Sequence, residues 1–217
     1  DDMLNPVSSY LSHQGCLVGS MNGTFAGEGK GRQNRSEFGY GGSKYYNAPD
    51  DFANMLGDYG FDMLAMANYH TYDSNYSGLC QTKKTVIQNG MVPVGIFEEE
   101  EDVCEYETKD FGGISAAVFS YTEALKFKPG EENDFSVNQL FRSQEEYLKK
   151  LCKAVKQSKK LDANVAVVYI YFSNTRTGTV SSRQKEVAHQ LLDAGADIVV
   201  GTNPDIIEPM EIRKSKT

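Results

Sequence analysis

The chain has 217 residues, 40% of them hydrophobic and 24% charged, with 22 Lys and Arg against 30 Asp and Glu, giving a net charge of -8 and a pI near 5.0. That length can bury a sizeable core, and with no internal repeat or low-complexity linker it reads as a single domain over residues 1–217. The acidic balance argues against nucleic acid as a partner, because phosphate-backbone affinity needs clustered Lys and Arg, and no apolar run is long enough to span a bilayer.

In chain order, a loop rich in glycine and polar residues runs from Gly27 to Lys44. Its Gly27-Glu28-Gly29-Lys30-Gly31 lacks the Gly-Lys-Ser/Thr ending of a phosphate loop and reads as surface. A helix is predicted near Pro49 to Tyr59, with Phe52, Met55, Leu56 and Tyr59 on one face. A strand near Phe61 to Ala67, a helix near Ser77 to Asn89 and a strand near Met91 to Phe97 follow. The acidic run Glu98 to Asp102 reads as a solvated loop. A hairpin comes next, Val103 to Thr108 with Ile114 to Tyr121, turning through Asp110-Phe111-Gly112-Gly113.

Ser143 and Glu146 have the spacing of a capping box and open a helix over Glu145 to Lys159, before a β-prone strand from Asn164 to Phe172. From Gln184, Val187, Ala188, Leu191 and Leu192 recur at helical spacing, and Gly195 stops the helix. Ile198-Val199-Val200 then reads as a strand buried on both faces. Strands alternating with helices, plus a hairpin, indicate α/β with a mixed sheet. In such sheets ligands sit beyond the carboxyl ends of the strands, which makes Gly201 to Asp205 a candidate site loop. Cys16, Cys80, Cys104 and Cys152 contain no Cys-x-x-Cys, so zinc fits poorly and free thiols are expected.

Several segments in this order resemble the CapA-like domain of bacterial capsule synthesis, a relative of metallophosphatases linked to poly-γ-glutamate assembly. They are Gly19-Ser20-Met21-Asn22 where the family has Gly-Asn-Leu-Glu, and Asn47-Ala48-Pro49. Next come Asn68-Tyr69-His70 with Asp73, Gly78 and Leu79, where it has Asn-Asn-His, and the strand through Tyr169-Ile170-Tyr171 where it has His-Trp-Gly. The last are Leu192 to Gly201, then Thr202-Asn203-Pro204-Asp205, where it has His-Pro-His. The resemblance implies a metallophosphatase-like layered α/β/β/α sandwich with mixed sheets. Its first strand, bearing a metal-binding Asp, and its last strand have no counterpart, so the chain looks like a fragment whose N-terminal anchor or signal lies outside it.

Two-metal hydrolysis needs several ligands converging on ions roughly 3.5–4 Å apart. Here the family's ligands are replaced at Ser20, Asn22, Tyr69, Tyr171, Asn203 and Asp205, positions the resemblance would gather at one place. His70 survives as a candidate general acid or phosphate contact, with Asp73 as its expected partner. The alternative is a histidine fixed at a strand end by hydrogen bonds. Asn22, Asn68, Asp73, Asn203 and Asp205 offer oxygen donors that suit Mg²⁺ or Ca²⁺ better than the imidazole-rich sites of Zn, Mn or Fe. Tyr45, Tyr46, Tyr69, Tyr72 and Tyr76 crowd the same region and suit sugars or a peptide-like polymer. His189 reads as a surface residue, and His13 has no nucleophile pattern around it.

The expected function is that of a binding or scaffold module in the synthesis of a capsule or other cell-envelope polymer. It is expected to lack catalysis and metal, to lie outside the cytoplasm, to meet an anionic polymer and capsule-assembly proteins, and to touch membrane only through a segment outside the chain. The binding residues would be Asn22, Asn68, Tyr69, Asp73, Tyr171, Asn203 and Asp205. The alternatives are a metal-dependent phosphoesterase with an oxygen-ligand site holding Mg, Mn or Ca, and an inert structural domain.

Overall fold

The computed structural model describes residues 4–11, 15–28, 46–141, 145–161, 163–173, 179–203 and 207–213. His13, Ser143 and Asp205, along with most of the glycine-rich loop, lie outside the described residues. The chain divides into two compact units, Asp1–Val103 with Leu125–Val137, and Cys104–Ala124 with Asn138–Thr217. Both are α/β, as expected.

In the first unit a short turn of helix, α1 (Ser8–Leu11), precedes β1 (Val18–Ser20), α2 (Asp50–Asp58), β2 (Met63–Ala65), α3 (Asn75–Gln88) and β3 (Val92–Val94). The three strands form a parallel sheet in the order β1-β2-β3, with Gly19 opposite Leu64 and Leu64 opposite Pro93. All three residues of β2 are buried, which is why it reads as an unbroken apolar run rather than an alternating one. Pro93 sits in an edge strand, where a missing N–H does least harm to the ladder.

Helix α2 starts with Asp50 and Asp51, whose charges oppose the positive end of its dipole, and buries Ala53 and Leu56. Gly60 ends it with a positive φ of 80°, and the Phe61 N–H returns to Leu56 O at 3.1 Å. Phe25, Leu64, Met66, Leu79, Val86 and Ile96 form the centre of the core. The acidic run is exposed from residue 99 to 102, while Glu98 is half-buried and pairs with Lys84 at 2.9 Å, and Asp102 pairs with Lys83 at 3.3 Å.

The second unit contains β4 (Glu107–Asp110), β5 (Ser115–Thr122), α4 (Glu145–Leu161), β6 (Val165–Tyr171), α5 (Ser182–Asp193) and β7 (Ile198–Thr202). Its sheet runs β4-β5-β6-β7, antiparallel at the hairpin and parallel thereafter, with Phe119 opposite Val168 and Ile170 opposite Gly201. Phe119, Val168, Ile170, Leu151, Val187 and Leu191 pack its core.

One sequence expectation changes here. The last strand is not buried on both faces: β7 is the final strand in its sheet, and Ile198 is 50% exposed. A run of three β-branched residues signals a strand without saying whether a neighbour lies on each side. The capping box expected at Ser143 lies outside the described residues, and a further one opens α5, where the Ser181 hydroxyl accepts from the Gln184 N–H at 3.2 Å and the Gln184 side chain accepts from the Ser181 N–H at 2.6 Å. Cys16, Cys80, Cys104 and Cys152 are free thiols.

Candidate functional site

The loop that leaves β2 carries the densest group of predicted residues. Asn68 is only 2% exposed. Its amide donates to Met21 O at 2.6 Å and to Met66 O at 2.8 Å, so it ties the exits of β1 and β2 together. Its side-chain oxygen accepts the His70 N–H at 2.8 Å, and its own N–H goes to the Thr71 hydroxyl at 2.8 Å. Asn68 is therefore hydrogen-bonded through every polar atom of its side chain, all within the protein.

Asp73 has a fully buried side chain. Its Oδ2 accepts the Tyr46 N–H at 2.8 Å and the His70 Nδ1–H at 2.7 Å. Lys126 Nζ stands 3.8 Å from the same oxygen, and Oδ1 has no hydrogen-bond partner. Since a carboxylate accepts only, Nδ1 of His70 carries the proton and Nε2 is the nitrogen left for outside chemistry. The partnership expected from sequence is thus formed across three residues of one loop.

Two aromatic rings frame the imidazole. Tyr46 stacks on it at 3.9 Å between centroids and 17° between planes. Tyr69 meets it edge-on at 5.1 Å and 86°. The position of Tyr46 follows from a short parallel bridge between Thr24 and Asn47, in which Tyr46 O accepts from the Thr24 N–H and Thr24 O accepts from the Ala48 N–H, each at 2.8 Å. Tyr69 is held through its carbonyl by the Lys126 N–H at 2.9 Å. Both tyrosines are partly open to solvent, 38% for Tyr46 and 37% for Tyr69. Sequence reasoning passed over Lys126, whose neighbours here are distant in the chain.

The remaining candidates are placed differently. Asn22 and Ser20 are exposed at the exit of β1. In the second unit Tyr171 is buried at the end of β6, and its carbonyl accepts the Glu123 N–H at 2.9 Å. Asn203 follows β7 with φ of 78° and donates its amide to Phe172 O at 3.1 Å. A buried carboxylate that the sequence did not announce stands beside them: Glu123 Oε2 accepts from the Ser173 N–H at 3.2 Å, with Arg183 Nε 3.8 Å from Oε1.

Of the donors that the resemblance would gather at a two-metal centre, Asn68 and Asp73 are committed to partners within the first unit. Among the described residues no three His, Cys, Asp or Glu side chains group as metal ligands. The oxygen of Asn68 is taken by a main-chain N–H, and Asp73 is enclosed. No helix of the described residues is long and apolar enough to cross a membrane.

A family model described as bacterial capsule synthesis protein PGA_cap matches residues 1–217. The chain is 25% identical over 221 aligned residues to the capsule biosynthesis protein CapA of Bacillus anthracis, covering 99% of this chain and 51% of that protein. It is 26% identical over 160 residues to the PGA biosynthesis protein CapA of Bacillus subtilis (strain 168), covering 73% of this chain and 40% of that protein. The chain spans about half the length of these relatives or less.

Proposed function

The chain belongs to the bacterial capsule synthesis protein family, and from that premise we propose that it serves poly-γ-glutamate capsule biosynthesis as a binding module without hydrolytic chemistry. One observation carries the second half of this reading. The polar atoms of Asn68 and one imidazole nitrogen of His70 are spent inside the protein: the Asn68 amide goes to Met21 O, Met66 O and the His70 N–H, and the His70 Nδ1 goes to a buried Asp73.

A metal ligand must hold its lone pair toward the ion. Turning Asn68 Oδ1 outward would strand the His70 N–H, which costs about 1–3 kcal/mol. What the site turns toward solvent is Tyr46 and Tyr69, rings that bind apolar stretches of a polymer while their hydroxyls stay wet. In this reading the module uses no metal cofactor. It meets an anionic envelope polymer together with capsule-assembly proteins, and it works outside the cytoplasm.

The test uses the protein at its natural length. With added Mn²⁺ or Mg²⁺ it is expected to hydrolyse bis(p-nitrophenyl) phosphate no faster than buffer does, and elemental analysis is expected to find well under one metal ion per chain. Turnover abolished by a chelator, or near-stoichiometric metal, would instead establish the metal-dependent hydrolase.

A further inference from the structure

We propose that the lysine row on the exposed face of α4 is a docking surface for an anionic phospholipid membrane. The proposal stands apart from the loop after β2 and does not depend on what that loop binds. It adds a contact made by the chain itself to the membrane attachment expected through a segment outside it.

The observation is one of spacing and charge. Helix α4 carries Lys149, Lys150, Lys153, Lys156, Lys159 and Lys160 against Glu145 and Glu146, in a chain whose net charge is -8. Leu148, Leu151, Ala154, Val155 and Ser158 are buried, so one face of the helix is fixed in the core. At about 100° per residue, Lys149, Lys153, Lys156 and Lys160 fall within roughly 60° of one another, opposite that face. All four are exposed. With a rise of about 1.5 Å per residue, the row is about 16 Å long.

Little of this charge is neutralised. Lys159 is drawn aside to Asp197 at 2.9 Å, and Lys150 stands 3.9 Å from Glu105. Within the row Lys149 meets Glu145 at 3.6 Å, but their side chains are 73% and 86% exposed, and such a pair is worth little in water. Among the described residues no carboxylate pairs with Lys153, Lys156 or Lys160.

The chemistry of the row selects the partner. It contains no aromatic ring to stack on a base and no guanidinium to grip one phosphate in two places, which disfavours nucleic acid. Ammonium groups on long flexible stems are point charges that can reach any oxygen of a planar field of headgroups. Beside Lys160 the Leu161 side chain is 71% exposed, an apolar group of the kind that enters the membrane interface. The acidic balance of the whole chain does not cancel the attraction, because charges more than about 8 Å apart are largely screened at physiological salt. An anionic leaflet strengthens binding about fivefold for each lysine held near it.

Partition of the natural-length protein onto phosphatidylcholine vesicles, with and without phosphatidylglycerol, tests this, since any anchor contributes to both. Phosphatidylglycerol is expected to tighten binding at least about a hundredfold at about 0.05 M salt, a gain largely lost at about 0.5 M. Lys153→Gln combined with Lys156→Gln is expected to weaken binding to the anionic vesicles roughly thirtyfold. Lys128→Gln combined with Lys185→Gln removes the same charge at exposed positions outside α4 and is expected to weaken it less than about threefold. In the unaltered protein, anionic but not neutral vesicles are expected to slow acetylation of Lys153 and Lys156 relative to Lys128 and Lys185. Equal partition onto both vesicles without shielding of the row overturns the proposal. Tighter binding to anionic vesicles that survives loss of Lys153 and Lys156 places the contact elsewhere and overturns it as well. Stronger shielding of the row by dissolved poly-γ-glutamate than by anionic vesicles assigns it to a soluble polyanion and overturns the choice of a membrane.

Discussion

Replacing Asp73 by alanine tests how far the site loop depends on one buried acceptor. The carboxylate accepts the Tyr46 N–H at 2.8 Å and the His70 Nδ1–H at 2.7 Å, and its side chain has no exposed surface. Removing it strands both donors. A buried donor left without a partner costs about 1–3 kcal/mol, so stranding two costs about 2–6 kcal/mol. A loss of about 4 kcal/mol is a large share of the roughly 5–15 kcal/mol that keeps a domain folded. With a urea slope of about 2–3 kcal/mol per molar, it lowers the unfolding midpoint by roughly 1.3–2 M. Asp73→Asn keeps one acceptor oxygen and most of the shape, so its loss is expected to be about half as large. The measurement is urea unfolding followed by circular dichroism. An Asp73→Ala loss below about 1 kcal/mol would show that the loop is organised by something other than this carboxylate.

Three further outcomes follow from packing and ionisation. A Cβ at Gly78 would lie 2.2 Å from Ser74 Cβ and 3.1 Å from Ala26 Cβ, so Gly78→Ala is expected to lose at least about 2 kcal/mol by overpacking. Gly60 has φ of 80° and open space around it, so Gly60→Ala is expected to lose only about 1 kcal/mol of conformational energy, and urea midpoints in the opposite order would refute the assignment. Burial first, and then Glu107, push the Cys104 thiol up to about 12. Its alkylation by iodoacetamide at pH 8 should therefore run about a thousandfold slower than that of an ordinary thiol; a rate within tenfold of the unfolded protein's refutes this. Burial, followed by the neighbouring Cys80, also raises the Tyr76 hydroxyl to about 12. Unfolded, these two groups release their protons near 9.0 and 10.0, while the folded chain keeps them. Their contribution to stability is full below pH 9 and is lost between about pH 9 and pH 12. A urea midpoint that stays level from pH 7.5 to pH 10.5 would contradict it.

How much of this was legible in the sequence depends on the range over which the information acts. The helix at Asp50–Asp58 follows from local spacing and flanking residues, and so does the hairpin whose arms meet at Glu107 opposite Val118. The His70 to Asp73 bond was legible because three residues separate its ends in one loop. Ser181 and Gln184 have the Ser-x-x-Gln spacing of a capping box, a signal present in the sequence and passed over. The exposure of Ile198 was not legible, because it depends on which strand ends the sheet. Nor was the role of Lys126, which meets Asp73 and Tyr69 only after the segment Leu125–Val137 packs into the first unit. The stacking of Tyr46 on His70 likewise depends on a backbone bridge from Thr24 to Asn47, which no local pattern announces.

The loop after β2 gives Asn68, His70 and Asp73 structural roles. Asn68 closes the exits of two neighbouring strands by reaching Met21 O and Met66 O, carbonyls that would otherwise be buried with fewer partners. His70 holds Asp73, which in turn fixes the Tyr46 N–H, so the three residues keep the turn before α3 in one conformation. Substituting Asn68 or Asp73 would thus damage folding whether or not any ion bound. Tyr69 stands apart: it is partly exposed, it meets the imidazole by its edge, and its carbonyl accepts the Lys126 N–H. A partly exposed ring outside the core is where a change of side chain is expected to alter binding with least effect on the fold. On the proposed binding reading, Tyr69 is the place where the surface of this loop is expected to meet its polymer.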